Sequence, residues 1–273
     1  MPGETFQQAL DAAQTLRDRG ISSVVTHLGE NIKELAEATA ITNHYLEVLD
    51  QIHQRKLDTH ISVKLTELGL DQNPEACYTN VKHLLQEAGA LNNFVWIDME
   101  GSNYTGATLS LYKRARAEFP NVGVCLQSYL YRTAEDLQQL LPLSPAIRLV
   151  KGAYAEPAGI AFAKKSDTDE NFFRLAEVLL RRHNVNQSQV GIATHDQKLI
   201  ERIVKVADSL GCAKDAWELQ MLFGIRTRDQ LRLQQNGLRV RVLISYGASW
   251  FPWYMRRLAE RPANVLFVLR NLV

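Results

Sequence analysis

The sequence is poor in cysteine. Its 273 residues include three cysteines, Cys77, Cys125 and Cys212, which are odd in number and far apart. Small secreted domains held by disulfides need several cysteine pairs, and zinc sites need short, regular cysteine or histidine spacings. Neither pattern is present, so we exclude a disulfide scaffold and expect no metal site. Three isolated thiols are typical of a reduced, cytoplasmic compartment.

Net charge and long apolar runs are also lacking. Lys and Arg number 31 against 30 Asp and Glu, a net charge of +1, which gives no electrostatic reason to expect nucleic acid. The N-terminus, MPGETFQQAL, has no basic stretch followed by an apolar one, and no apolar run reaches membrane-spanning length. We therefore expect a soluble protein, and a peripheral membrane contact is compatible with this composition.

What the chain does contain is material for a large core. Hydrophobic residues make up 46% of it. Short runs rich in β-branched residues alternate with longer segments whose apolar residues recur at steps of three and four. Eight strands alternating with helices predict an α/β fold, a (β/α)8 TIM-like barrel, as a single domain over residues 1–273. The predicted strands are 21–26, 61–65, 94–98, 122–127, 147–151, 190–194, 217–221 and 240–245. The clearest helical patterns are 30–54, 74–89, 169–184 and 196–211. The irregular stretch 155–169 is expected to form a mobile flap.

Polar side chains lie at or next to the ends of six predicted strands. Barrel enzymes build their sites at the C-terminal ends of the strands, so these side chains should meet at one mouth. One such residue alone is more often structural than functional, but the convergence of six predicts an enzyme site. The residues are Lys64, Asp98, Gln127, Lys151, Thr194 with His195, and Gln220.

A pair of adjacent arginines, Arg256 and Arg257, follows the last predicted strand. Neighbours on a helix point about 100° apart, so two interpretations are open. Either one arginine is a surface charge and the other pairs with Glu260, or both reach an anionic ligand. Glu260 lies within helical reach of either arginine. The planar guanidinium fork is suited to a carboxylate or a phosphate.

Seven ordered motifs give the chain a specific resemblance to a known family. They are ISVKLTELGLD, VWIDMEGS, VCLQSYLYRT, IRLVKGAY, IATHD, LQMLFGIR and WYMRRLAERPANV. The chain resembles the proline dehydrogenase family, and most of all its single-function bacterial members, which are FAD-dependent barrels. The resemblance implies oxidation of L-proline, or a closely related imino acid, to 1-pyrroline-5-carboxylate. It also implies electron transfer to a quinone and a cytoplasmic protein that contacts the inner membrane peripherally.

The resemblance assigns roles to individual residues. Asp98 and Arg148 match the catalytic aspartate and arginine beside the flavin. Residues that match the substrate-carboxylate site are Lys64, Arg256 and Arg257, with Glu260 holding one arginine. Residues that match walls around the substrate ring are Leu149, Tyr154 and Leu222. Residues that match FAD-binding positions are Met99, Gln127, Arg148, Lys151, Gly152, Ala153, Thr194 and His195.

The chain departs from the family pattern at its eighth strand. Relatives usually read Arg-x-Tyr-x-Pro-Tyr-Gly there, whereas this chain reads RVLISYG, so Leu243 replaces the tyrosine that packs on the substrate. This substitution leaves the identity of the substrate open. The extra N-terminal helices of relatives are also largely absent, which leaves stability and oligomeric state open. No GxGxxG stretch is present, so the cofactor would be held by loops and helix starts at the barrel mouth.

Two other interpretations stay open at this point. A lysine at a barrel-strand end can form a Schiff base, so Lys64 or Lys151 could serve a lyase or aldolase. The replacement at Leu243 is also compatible with a non-catalytic barrel that binds an imino acid.

Overall fold

Eight parallel strands close into a barrel in the order β1 to β8, with β8 paired to β1. This computed structural model describes residues 1–29, 32–186, 189–248 and 250. The predicted (β/α)8 fold is confirmed, and each predicted strand is present within about two residues of its expected bounds. The strands are β1 (Ser22–His27), β2 (Thr59–Val63), β3 (Val95–Ile97), β4 (Val122–Gln127), β5 (Ala146–Val150), β6 (Val190–Ala193), β7 (Glu218–Leu222) and β8 (Arg239–Tyr246).

Helices surround the barrel, and the described part of the chain places one before each strand. Their starts follow from local sequence: Asn73 accepts hydrogen bonds from the N–H groups of Glu75 and Ala76, and Pro74 occupies the first helical turn beside it. The helices are α1 (Phe6–Arg17), α2 (Leu35–Gln54), α3 (Pro74–Ala90), α4 (Thr105–Glu118), α5 (Thr133–Leu140), α6 (Lys165–Asn186), α7 (Gln197–Ser209) and α8 (Thr227–Gln235), with short 3-10 helices at Ser102–Tyr104 and Leu141–Leu143.

The two faces of the strands have different surroundings. Outward-facing residues such as Val25, Ile97 and Leu149 belong to the main hydrophobic core, which they share with the helices. The inward-facing residues form only a small apolar cluster, made of Val24, Trp96 and Ala146 with Phe94 and Leu243 packed against it. Buried polar side chains occupy much of the rest of the barrel interior. The strand alternation therefore places polar groups beneath the mouth.

The irregular segment after β5 is shorter than predicted. Residues 155–169 were expected to be irregular, but α6 already begins at Lys165. The remaining segment is tied to neighbouring loops: Tyr131 N donates to Ile160 O at 3.1 Å, and Leu130 and Ala161 form an isolated antiparallel bridge. The sequence pattern missed the first turn of α6 because KKSDTD is rich in polar residues, which give no apolar periodicity.

No helix in the described ranges is long and apolar enough to cross a membrane. The same residues contain no group of three or more His, Cys, Asp or Glu side chains that could hold a metal ion.

Candidate active site

Asp98, Ser62 and Arg148 form a hydrogen-bonded group at the mouth of the barrel. Ser62 lies in β2, Asp98 directly follows β3, and Arg148 lies in β5. Ser62 Oγ donates to Asp98 Oδ1 at 2.8 Å, and Arg148 Nη1 donates to the same carboxylate oxygen at 2.7 Å and to Ser62 Oγ at 2.9 Å. The strand register therefore brings together the two residues that the sequence predicted to be catalytic, and fixes one edge of the guanidinium.

Arg148 is also held at its face and at its Nε atom. Its guanidinium carbon lies 4.7 Å from the centre of the Trp96 ring, within cation–π range. Nε donates to Gln220 Oε1 at 2.6 Å. Nη2, by contrast, is buried and has no hydrogen-bond partner among the described residues. A buried donor left without a partner costs about 1–3 kcal/mol, so Nη2 is a site where a ligand acceptor would be stabilised.

Lys64 directly follows β2 and is almost completely buried. Its Nζ donates to His27 O at 2.9 Å and lies 3.6 Å from Glu67 Oε2. The Glu67 side chain is 1% exposed and also lies 3.5 Å from His27 Nδ1. Glu67 thus supplies the compensating charge that a buried ammonium needs. Lys64 is positioned at the β1–β2 side of the mouth, across the barrel from β5.

Lys151, after β5, belongs to an alternating charge cluster. Its Nζ lies 2.6 Å from Asp169 Oδ1 and 3.1 Å from Asp196 Oδ2. Lys165 pairs with the same two carboxylates. The cluster joins the end of β5 to the starts of α6 and α7. A Schiff-base lysine usually lies in an apolar pocket or beside another cation, whereas Lys151 and Lys64 lie next to carboxylates. This geometry weighs against the lyase or aldolase interpretation.

His195 follows β6 and acts as a hydrogen-bond acceptor for the end of β7. Its Nε2 accepts the N–H of Leu222 at 3.0 Å. Burial, followed by the nearby Arg226 charge, lowers the pKa of His195 to about 4, so the ring is neutral near pH 7. His195 does not cap α7, because Asp196 takes that role by accepting from Leu199 N. Thr194 Oγ1 accepts from Asp196 N at 3.1 Å and steadies the same turn.

The mouth between β3 and β5 fits a flavin. Gln127 Nε2 donates to Met99 O at 3.3 Å and to Glu100 O at 3.2 Å. Gln127 Oε1 is buried, with no hydrogen-bond partner in the described part of the chain. This oxygen can accept a ring N–H, and Arg148 Nη2 can donate to a ring nitrogen or carbonyl. Both kinds of group occur at the edge of a flavin ring, so this donor and acceptor pair fits a flavin chemically.

The backbone after β5 adds to this fit. Gly152 has φ of +122°, a conformation that L side chains rarely adopt. A Cβ atom at Gly152 would also collide with the Tyr129 ring. The glycine therefore brings bare backbone to the rim of the site, followed by the exposed Ala153.

The predicted apolar wall is only partly assembled at the mouth. Leu222, at the end of β7, is 43% exposed there, and Tyr154 is half-buried in the segment after β5. Leu243 is half-buried on the inner face of β8 and packs against the interior cluster. Leu149 is different. It lies in the core outside the barrel, because it alternates with the inward-facing Arg148, and the structure therefore does not bring its side chain to the mouth.

The predicted carboxylate clamp of Arg256, Arg257 and Glu260 lies outside the described residues. Its assignment rests on the sequence motif alone.

Several residues of the site were not predicted from the sequence. Ser62 and Trp96 each lie two positions before a predicted site residue, Lys64 and Asp98 respectively. Since successive strand residues face opposite sides, this spacing places each pair on one face of its strand, and the alternation could have identified both. Glu67 gave no such signal, because it lies in the loop after β2.

Comparison with known proteins gives a consistent family. The family model described as proline dehydrogenase matches residues 9–270. Proline dehydrogenase 2 of Bacillus subtilis (strain 168) is 38% identical over 270 residues, which cover 99% of this chain and 88% of the relative. The proline dehydrogenase of Deinococcus radiodurans is 36% identical over 276 residues, with the same shares covered.

A solved structure supports the same fold. Proline utilization A from Bdellovibrio bacteriovorus, inactivated by N-propargylglycine, aligns with a TM-score of 0.83 at 23% identity over 90% of this chain. This chain spans only 30% of that longer polypeptide, so the likeness concerns the barrel alone. The whole-length relatives and the family model decide the membership: the chain belongs to the proline dehydrogenase family.

Proposed function

We propose that this protein oxidises L-proline to 1-pyrroline-5-carboxylate with FAD held at the barrel mouth. Family membership supports proline oxidation. The observation that carries the cofactor proposal is Arg148: its Nε and Nη1 are fixed by Gln220, Ser62 and Asp98, while Nη2 is buried without a described partner. A preorganised cation of this kind stabilises negative charge that develops on a bound group during reaction.

The proposed cofactor site uses residues from four strand ends. Bound FAD would supply the redox chemistry, because a flavin can take up two electrons as one hydride. Gln127 and Arg148 would contact the flavin edge, and Lys151, which pairs with Asp169, would face phosphate oxygens of the cofactor. The full proposed set is Met99, Gln127, Arg148, Lys151, Gly152, Ala153, Thr194 and His195.

The proposed substrate site includes Lys64, which lies on the β1–β2 side of the mouth. Lys64, with Arg256 and Arg257, would bind the proline carboxylate by charge-assisted hydrogen bonds, and Glu260 would hold one arginine. Fixing the carboxylate restricts how the ring can lie and so positions its reacting carbon. Tyr154, Leu222 and Leu243 would border the ring. We assign Asp98 to the catalytic group because it orients Arg148.

The remaining parts of the proposal rest on the family resemblance. They are a quinone electron acceptor, a cytoplasmic location with peripheral contact to the inner membrane, and a single barrel domain over residues 1–273.

The test is the colour of the purified protein and its response to proline. We expect flavin absorbance near ~450 nm that is bleached by L-proline without oxygen, because the redox step takes place on the cofactor. D-proline is the matched control, because it has the same ring but places the carboxylate differently, and we expect it to bleach the flavin more slowly. A colourless protein that borohydride traps with a carbonyl substrate would favour the lyase, and a yellow protein that no imino acid bleaches would favour the non-catalytic barrel.

A further inference from the structure

A continuous column of polar side chains runs through the barrel interior beneath the mouth. Its members are Arg241 on β8, Glu218 and Gln220 on β7, and Arg148 on β5, each at most 4% exposed. Arg241 Nε donates to Glu218 Oε2 at 3.0 Å, and Gln220 Nε2 donates to Glu218 Oε1 at 2.6 Å. Gln220 Oε1 in turn accepts from Arg148 Nε at 2.6 Å. The column therefore connects the lower part of the barrel to the proposed catalytic arginine.

The alternation of charge along the column fixes the orientation of the Gln220 amide. Its NH2 group faces the Glu218 carboxylate and its oxygen faces the Arg148 guanidinium. A flipped amide would place oxygen against carboxylate and N–H against N–H, which removes both hydrogen bonds. Gln220 thus presents the partial negative charge of its oxygen to Arg148, which already pairs with the carboxylate of Asp98.

The lower end of the column is anchored to the strands that follow β8 around the closed barrel. Arg241 Nη1 donates to Ser23 O at 2.8 Å and lies 3.4 Å from Asp58 Oδ1. Ser22 Oγ donates to Asp58 Oδ2 at 2.5 Å. These contacts tie the base of the column to β1 and to the residue before β2, so the column is rigid at its lower end.

The space for Gln220 depends on a glycine in the neighbouring strand. Gly191 on β6 lies beside Gln220, and a Cβ atom there would come within 2.6 Å of Gln220 Nε2. The φ of Gly191 is not in the left-handed region that excludes other residues. The absence of a side chain at Gly191 is therefore a requirement of packing against Gln220 rather than of backbone conformation.

Three of the five N–H groups of Arg148 have hydrogen-bond partners in the barrel. Of its five N–H groups, Nε binds Gln220 and the two on Nη1 bind Ser62 and Asp98. The two on Nη2 have no hydrogen-bond partner in the described ranges. Gln220 therefore holds Nε as a second fixed point, in addition to the Nη1 contacts with Ser62 and Asp98, and this restricts how the guanidinium can turn.

We propose that Gln220 is the positioning residue for Arg148, and that Glu218 and Arg241 hold Gln220 in the required orientation. The proposal rests on the proposed function in one respect, which is that Arg148 acts on the bound flavin or substrate. Its structural content, the immobilisation of Arg148 by Gln220, can be measured without cofactor or substrate.

The main test compares Gln220→Met with the parent protein. Methionine has a similar length but no group that can accept from Arg148 Nε. The ¹⁵N-labelled Arg148 Nε–H, assigned as the signal lost in Arg148→Lys, should exchange with solvent about tenfold faster in the variant without FAD. In the flavin-loaded variant, the rate of flavin reduction by proline should fall at least about tenfold, while KM changes by less than about threefold.

Two further variants separate positioning from loss of a buried polar group. Gly191→Ala keeps every member of the column but displaces the Gln220 amide, so it should reproduce both effects. Asn121→Leu is the matched structural control. It removes the amide that donates to Leu85 O at 2.9 Å near the start of β4, and it should lower stability while leaving Arg148 Nε–H exchange unchanged. If Gln220→Met fails to fold, Gly191→Ala carries the test.

The double variant Gln220→Glu/Glu218→Gln tests whether an oxygen acceptor at position 220 is what holds Arg148 Nε. It restores an oxygen opposite Arg148 Nε and keeps the total charge of the column, so it should recover most of the slow exchange lost in Gln220→Met. Unchanged Nε–H exchange in both Gln220→Met and Gly191→Ala would overturn the proposal. Faster Arg148 Nε–H exchange in these variants would support the positioning role of Gln220. If proline also fails to reduce the flavin of the parent protein, that result would count against the proposed function.

Discussion

Leu243 lies where the family resemblance predicts a tyrosine. It pairs in register with Val24 on β1 and Leu222 on β7, and its side chain packs against the interior cluster that includes Trp96. The leucine thus extends the packing inside the barrel. An aromatic ring at the same position would be larger and would reach further toward the mouth.

We predict that Leu243→Tyr raises kcat/KM for L-proline several-fold. A pocket change of this size typically alters specificity by about 1–3 kcal/mol, because the ring fills volume beside the substrate. The parent should correspondingly accept ring-substituted prolines better than the variant does. Steady-state kinetics with both substrates measures this, and Leu35→Tyr, at an exposed leucine of α2, is the control. A variant no better than the parent on L-proline would show that other residues already complete the wall.

We predict that His195→Ala reduces FAD retention more than it reduces the rate of the loaded enzyme. The neutral ring, with its pKa lowered to about 4 by burial and then by Arg226, supports the end of β7 through Leu222 N. Retention by the parent should therefore be insensitive to pH between about 6 and 8. The measurement is the ratio of flavin to protein after dialysis, with the exposed His53→Ala as control. Full retention combined with lost catalysis would instead assign His195 to the chemistry.

At the scale of elements, the segment between β5 and α6 is held against neighbouring loops by a small set of contacts. Ser102 N donates to Glu156 Oε1 at 2.7 Å, and Ser102 Oγ donates to Glu156 Oε2 at 2.6 Å. Tyr131 OH donates to Ala158 O at 3.1 Å. The carboxylate of Glu156 thus links the segment that carries Gly152 and Tyr154 to the first turn after β3.

We predict that Glu156→Ala loosens this segment without unfolding the barrel. Hydrogen bonds to a charged group contribute about 1.5–3 kcal/mol each when shielded, and solvent near this partly exposed site reduces that value. Trypsin should therefore cleave after Lys164 or Lys165 several-fold faster, while the thermal midpoint changes little. Glu135→Ala is the control, since its carboxylate receives only a long 3.4 Å contact from Gln139. Equal cleavage of both variants would mean that Glu156 does not restrain the segment.

The elements were predictable to the extent that their residues follow a period. The β-branched runs predicted all eight strands, and Asp98 was expected at the mouth because parallel strands must end on one side. The assignment of Arg148 to the same group came from the family resemblance. The role of Gln220 as a partner of Arg148 was not predictable, because it depends on side chains from β5 and β7 meeting inside the barrel. The outward orientation of Leu149 was predictable from its alternation with Arg148, but the family motif obscured it.

At the scale of the whole molecule, buried histidines make stability depend on pH. Burial, and then the charge of His27, lowers the pKa of His44 to about 4, and His195 has a similar value for the reasons given above. The pKa of His60 is also lowered, first by burial and then by Arg241 and Arg148. Between about pH 6.5 and pH 4 the unfolded chain therefore binds more protons than the folded one, so folded stability falls as pH falls.

We predict that the free energy of unfolding decreases steadily as pH is lowered from about 6.5 to about 4. Each unit of pKa depression corresponds to about 1.4 kcal/mol, which solvent screening reduces for the half-buried rings of His44 and His195. Urea unfolding at several pH values measures the slope. His44→Gln should flatten it, whereas His53→Gln, at an exposed ring, should not. A parent protein equally stable at both ends of this window would contradict the prediction.

The pairing of β1 with β8 determines when the barrel can close. Ser23 and Arg241 touch across this seam although they are 218 positions apart in the chain, so the contact has a very large loop-closure cost and forms late in folding. Until β8 has been synthesised and docked, the edge of β1 from Ser22 to His27 has no pairing partner on that side. An open strand edge can pair with another chain, so nascent or refolding protein is most exposed to aggregation in this interval. The yield of refolded protein should therefore fall as protein concentration rises, even under conditions where the finished barrel is stable.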